Sequence, residues 1–274
     1  MDDATTTTAP AKRKLRSEWR ENVRFALTFL LLAVLFRSFF FSAFNIPSQS
    51  MLPRLLIGDY LIVSKWSYGY SRYSLPFSLP LIPGRIFARD PERGDTVVFR
   101  GPAPDNHDVI KRVIGLPGDT IQMRSGQLIL NAVAVPKERV ADFVVPLTAN
   151  YPTSECPAPF QNTDAVGAPI CQYAQFRETL PNGKRYLVLD RGAFPQADDT
   201  PLFTVPAGHV FVMGDNRDDS GDSRFAPPEG MGFVPIEKIQ GKAQLMFFST
   251  DGNVSLAPWT WFTATRWNRI GGGF

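Results

Sequence analysis

The chain has 274 residues, 44% hydrophobic and 20% charged, with a formal net charge of +3. That balance excludes a disordered chain and gives no case for nucleic acid as a partner. Two cysteines and two histidines, with no CxxC or HExxH spacing, do not suggest a zinc site, so no metal is expected.

The first element is a basic segment at 1–22. Lys12, Arg13, Lys14, Arg16, Arg20 and Arg24 cluster at its end and just beyond, against Glu18 and Glu21. Residues 25–36, FALTFLLLAVLF, carry no charge. Alone they make about 18 Å of helix, short of a hydrocarbon core of about 30 Å. Extending the helix over 23–44 gives about 33 Å, enough to span, with Arg37 snorkelling toward the far interface. A cleavable signal peptide has a similar profile. It needs small residues at −3 and −1, and a cut after Ala43 puts Phe41 at −3. A retained single-pass anchor is the preferred reading. The basic flank places the N-terminus in the cytoplasm and residues 45–274 outside. On that oxidising side Cys156 and Cys171 could pair, closing a loop worth about 3 kcal/mol, or remain as two thiols.

Directly after the apolar run comes NIPSQSMLP, in which Pro47 and Pro53 restrict the backbone around Ser48 and Ser50. A serine held this stiffly could be a nucleophile; loop serines more commonly form turns. From Asp59 onward short runs rich in Val, Ile, Leu and Phe, punctuated by Gly, Pro and Asp, predict a mainly β, antiparallel domain. PNGK at 181–184 predicts a hairpin turn. Residues 66–93 form a long loop heavy in Tyr, Phe, Leu and Pro, suited equally to the bilayer surface or to packing on its own domain. Residues from about 124 to 205, with both cysteines and many prolines, read as a β-rich inserted lobe. The tail PWTWFTATRWNRI reads as a short helix or strand packed on the core, with interfacial contact as the alternative.

In DVIKRVIGLPGD, period-two alternation puts Val109, Lys111 and Val113 on one face and Ile110, Arg112 and Ile114 on the other. Each apolar face therefore carries one base. A desolvated lysine can become neutral and act as a general base; guanidinium cannot. The bland alternative leaves both heads in solvent. MGDNRDDSGDSRF at 213–225 is dense in acidic and small residues but fails the EF-hand pattern, since Pro227 falls where a Glu is needed. It reads as a turn network or as a rigid wall behind a site. A histidine triad would have to use His107 or His209, and no GxSxG occurs.

The anchor, FNIPSQSMLP, ERGDTVVF at 92–99, IKRVIGLPGD at 110–119 and MGDNRDDSGDSR at 213–224 together resemble the bacterial type I signal peptidases, membrane-anchored Ser/Lys proteases. The resemblance implies Ser50 as nucleophile and Lys111 as general base. It implies Ser48 and the Ser50 amide as the oxyanion hole, and Ser220 as the serine that orients the lysine. Asp222 and Arg224 form a supporting ion pair, and Gly214, Asp215, Asn216 and Arg217 build the same wall. Phe44, Ile46, Leu55, Val109 and Ile110 fall where such enzymes line their substrate pockets. No cofactor is implied. The implied partners are exported preproteins, the lipid bilayer and a neighbouring secretion translocon; the implied place is the outer side of the bacterial cytoplasmic membrane. Two departures stand beside the site: Arg54, where threonine is usual, and a longer FAPPEGMGFVP at 225–235. Self-cleaving Ser/Lys repressor-type proteins share a related fold but are soluble, so the anchor discriminates. A membrane-tethered β binding module without catalysis would tolerate loss of Ser50 and Lys111.

Overall fold

The computed structural model describes residues 11–104 and 106–274, so part of the basic segment expected at 1–22 falls outside the described residues. One helix, Ala11–Phe39, leads the chain. Its portion Glu18–Phe39, with mean hydropathy 1.6 and almost no surface buried, is long and apolar enough to cross a membrane by length and composition. At 1.5 Å per residue it measures about 33 Å.

The helix stops five residues earlier than the sequence suggests. Residues 41–44, expected as its last turn, instead belong to a strand, Phe41–Asn45, which pairs antiparallel with Asp59–Ser64. The run FFFSAF is apolar in any conformation, so periodicity does not distinguish helix from strand here. The open edge of Asp59–Ser64 decides, because it satisfies the backbone groups of the extended segment. The junction is fixed. Tyr70 donates to the Phe39 carbonyl at 2.8 Å, and Trp66 packs edge-on against Phe41.

That first strand begins an antiparallel seven-stranded sheet. Its order is Phe41–Asn45, Asp59–Ser64, Ile239–Ser249, Thr96–Arg100, Asp108–Gly115, His209–Met213, Val234–Pro235. Strands between Thr120 and Thr204 form three further small sheets, of four, three and three strands. They do not fold around a separate core. Ile121, Leu128 and Val188 share one buried cluster with Ile114, Phe211 and Met213 of the main sheet. Tyr151, Cys156, Cys171, Tyr173 and Leu189 share another with Leu52. Cys156 and Cys171 are joined by a disulfide, with Cα atoms 5.9 Å apart. The PNGK turn falls where expected, between Gln175–Thr179 and Arg185–Leu189, with Gly183 at φ 81°.

The 66–93 loop divides between both expectations. Tyr68, Ser71 and Ser74 are buried, and Tyr68 donates to Asp95 at 2.7 Å. Phe77, Leu81 and Phe87 remain exposed. In the tail, Pro258–Thr263 is a short helix; Ala264 and Thr265 are buried, while Trp259, Trp261 and Trp267 face outward.

Candidate active site

Three segments converge at one end of the main sheet. The first is the turn carrying Ser48 and Ser50. It is held from behind: the Asn216 amide N–H donates to the Ser50 carbonyl at 3.1 Å, and Asn216 Nδ2 donates to the Gln49 carbonyl at 3.1 Å. Gln49 is also gripped by its side chain. Tyr151 donates to its Oε1 at 3.0 Å, and its Nε2 donates to Glu155 at 2.9 Å. Met51, Leu52 and Leu55 then plunge into the core with no exposed surface.

The second segment is Asp108–Gly115. Lys111 Nζ lies 2.6 Å from Ser50 Oγ, and both groups are buried. Burial pushes the Lys111 ammonium down to about 8, against the opposing pull of Asp222, Asp215 and Asp219. An ammonium donates in this contact; a neutral amine instead accepts the serine proton. Arg112 does not reach solvent either. It makes paired bonds to Asp215 at 2.7 and 2.6 Å and stacks over Tyr186, 4.5 Å from the ring centre.

The third segment is the acidic turn network after His209–Met213. Asp222 and Arg224 form a buried ion pair at 2.9 Å, and Asp222 also accepts the Gly214 amide at 3.0 Å. Burial raises the Asp222 carboxyl, but Arg224 and the backbone donors outweigh it and hold it below the usual range. Arg217 pairs with buried Glu178, which also accepts from Tyr186 at 2.6 Å. Gly214 cannot carry a side chain: a Cβ there would stand 2.3 Å from Ser220 Oγ and 2.5 Å from the Ser50 carbonyl.

Beside Ser50 and Lys111 opens a cleft of about 320 Å³. Phe44, Ile46, Ser48, Val109 and Ile110 line it. Leu55 does not. It is fully buried beneath, packed with Ile46 and Met51, because the turn after Ser50 directs it into the core. Ser48 Oγ is 3.4 Å from Ser50 Oγ. Ser220 departs from its implied role: its hydroxyl is buried without a hydrogen-bond partner among the described residues and makes no bond to Lys111. Its closeness to Gly214 and the Ser50 carbonyl places it in the same wall. Gln49 stands inside the NIPSQSMLP motif but was given no role; Tyr151, Glu155 and Glu178 sit in no motif, and only the fold brings them to the Ser50 turn and its wall. His107, Asp108, Gly221 and Met231 also line the cleft unforeseen.

A buried amine against a serine hydroxyl, on an antiparallel sheet behind an apolar helix, is the arrangement of the Ser/Lys type of serine protease. The comparisons agree with that class. Residues 19–248 match the family described as "Signal peptidase, peptidase S26", and the chain belongs to that family. It is 38% identical over 261 residues to signal peptidase I of Rickettsia akari (strain Hartford), covering 88% of each chain. It is 36% identical over 259 residues to signal peptidase I of Rickettsia conorii (strain ATCC VR-613 / Malish 7), again with 88% of each covered. Among solved structures, a signal peptidase I from Enterococcus faecalis V583 is 27% identical, covering 56% of this chain and 97% of that one, with a TM-score of 0.29.

Proposed function

We propose that this chain cleaves N-terminal signal peptides from exported preproteins, with Ser50 as nucleophile and Lys111 as general base. The observation that carries the reading is the 2.6 Å approach of a desolvated lysine to the hydroxyl of a proline-bracketed serine. Neutral Lys111 takes the proton of Ser50 as Oγ attacks the scissile carbonyl. Two donors lie beside the developing oxyanion: the Ser48 hydroxyl and the Ser50 amide, which has no acceptor among the described residues. The lysine, now charged, returns its proton to the leaving amine, and water then releases the acyl group.

The substrate enters extended. Within Asp108–Gly115, His209–Met213 pairs with Arg112, Val113 and Gly115 alone, so, among the described residues, 108–111 keep one unpaired strand edge, at the cleft. A peptide added there would alternate its side chains into the apolar lining, the basis for selecting small residues at −3 and −1. The anchor would hold the domain on the outer face of the cytoplasmic membrane, N-terminus inside, near the secretion translocon that delivers preproteins.

The test incubates the purified full chain and Ser50→Ala with a preprotein in detergent and locates any cut by mass spectrometry. Wild type should cut after a small residue at −1, and Ser50→Ala and Lys111→Arg should not. A cut at the same bond by Ser50→Ala contradicts the assignment.

A further inference from the structure

A second, smaller cavity of about 90 Å³ lies where the helix meets the domain. Arg37, from the last helical turn, lines it together with Lys65 and Arg100. The lining holds one carboxylate, Asp108, which Arg100 engages at 3.2 Å and to which Gln240 donates. Three cations against one carboxylate leave two positive charges over. Among the described residues neither Arg37 nor Lys65 has an acidic partner within ion-pair distance. Lys65 is 95% buried, and the one bond made by its ammonium goes to the Ser74 carbonyl at 2.8 Å. Burial, and after it the neighbouring Arg37, push this ammonium down to about 8 despite the pull of Asp108. Buried cations are ordinarily paired.

We infer that this cavity binds an anionic phosphate, and that its source is the headgroup of an anionic phospholipid. The size fits, with space for about three waters, comparable to one phosphate. The depth fits as well. Glu18–Phe39 is about as long as a hydrocarbon core is thick, which brings Arg37 to the level of the headgroups. On the outer rim Phe77, 96% exposed, stands beside the cations and offers an apolar surface to an acyl chain. Phe44 and Asp108 line both this cavity and the substrate cleft, so a bound headgroup abuts the place where a signal peptide would lie. The inference shares with the proposed function only the position of the membrane.

Its test needs no catalysis. The full chain in nonionic detergent is titrated with dioleoylphosphatidylglycerol, and lipid adducts are counted by native mass spectrometry. Wild type should bind one lipid tightly. Arg37→Gln/Lys65→Met should weaken that binding about tenfold or more, a margin beyond the loss of nonspecific charge. Lys65→Arg should retain it, which separates lost charge from lost packing. Arg54→Gln/Arg185→Gln, removing two arginines from a different pocket, should bind like wild type. Equal binding by the Arg37/Lys65 variant, equal loss in the Arg54/Arg185 variant, or equal adducts with phosphatidylcholine would overturn the inference. Glycerol phosphate competing at the same concentration as the lipid would assign the cavity to a soluble phosphate and overturn the lipid source.

Discussion

Replacing Lys111 by methionine should abolish activity and stabilise the protein at neutral pH. In the folded chain burial lowers this lysine from its ordinary 10.5 to about 8. At ~1.4 kcal/mol per tenfold, carrying the ammonium at pH 7 costs the fold about 3 kcal/mol. The folded pKa is depressed for a base, so the penalty is full below about pH 8 and fades as pH rises toward 10.5, where the unfolded chain also loses its proton. Methionine fills a similar volume without charge. It gives up the contact with Ser50, worth about 1 kcal/mol. The net gain is about 2 kcal/mol at pH 7, or about 4–8 °C in melting temperature for a chain of this size. The assay is thermal unfolding of the full chain in nonionic detergent from pH 6 to 10. Wild type should grow more stable from pH 8 upward through this group, and Lys111→Met should lack that rise. The same lowering raises the neutral fraction at pH 7 about 300-fold, to about one molecule in ten. The acid limb of kcat/KM should therefore fall near pH 8. A methionine variant less stable than wild type at pH 7, or a rate flat from pH 5 to 9, would refute the reasoning.

The oxyanion role proposed for Ser48 predicts that Ser48→Ala lowers kcat about 10²–10³-fold with little change in KM, measured by steady-state cleavage of a signal-peptide substrate. Cys171→Ser opens a loop of sequence separation 15 and should cost about 3 kcal/mol of stability by thermal unfolding, matched in wild type by a reductant that opens the disulfide. Glu178→Ala leaves the Arg217 guanidinium buried without its carboxylate and should cost about 3–5 kcal/mol. The double change Glu178→Leu/Arg217→Met should recover most of that loss, because it removes both charges together.

The chemistry of the site was more legible in the sequence than its support. Lys111 and Arg112 stood out because alternation gives each face of an apolar strand one base. The structure resolves both as buried: one against a hydroxyl, the other against Asp215. Ser50 stood out through the prolines around it. What alternation could not reveal was the partner of each group, since partners come from distant segments. Gln49 is fixed by Tyr151 and Glu155, about a hundred positions away, inside a region that carries no motif. The helix end was misplaced by five residues because the aromatic run satisfies any period. Leu55 was placed in the cleft by analogy of position, and the tight turn after Ser50 turns it inward instead.

The early end of the helix changes how the site is placed at a membrane. A helix running to residue 44 would hand the chain to a free segment of six residues ending at Ser50, able to extend about 20 Å in any direction. Instead the strand Phe41–Asn45 leaves the helix almost at once and pairs with Asp59–Ser64, and Ile46 bonds back to the Asp59 carbonyl at 2.8 Å. Every residue from the helix end to Ile46 is therefore held by the sheet or the helix cap. The Ser50 turn is then locked by Asn216 and Gln49. Height above a bilayer is set by the sheet, as a rigid offset from the anchor, rather than by a tether that allows a range of heights. A rigid offset suits a substrate whose own helix fixes the depth of its scissile bond. Both reacting partners then meet at one level, and binding has less orientational freedom to lose.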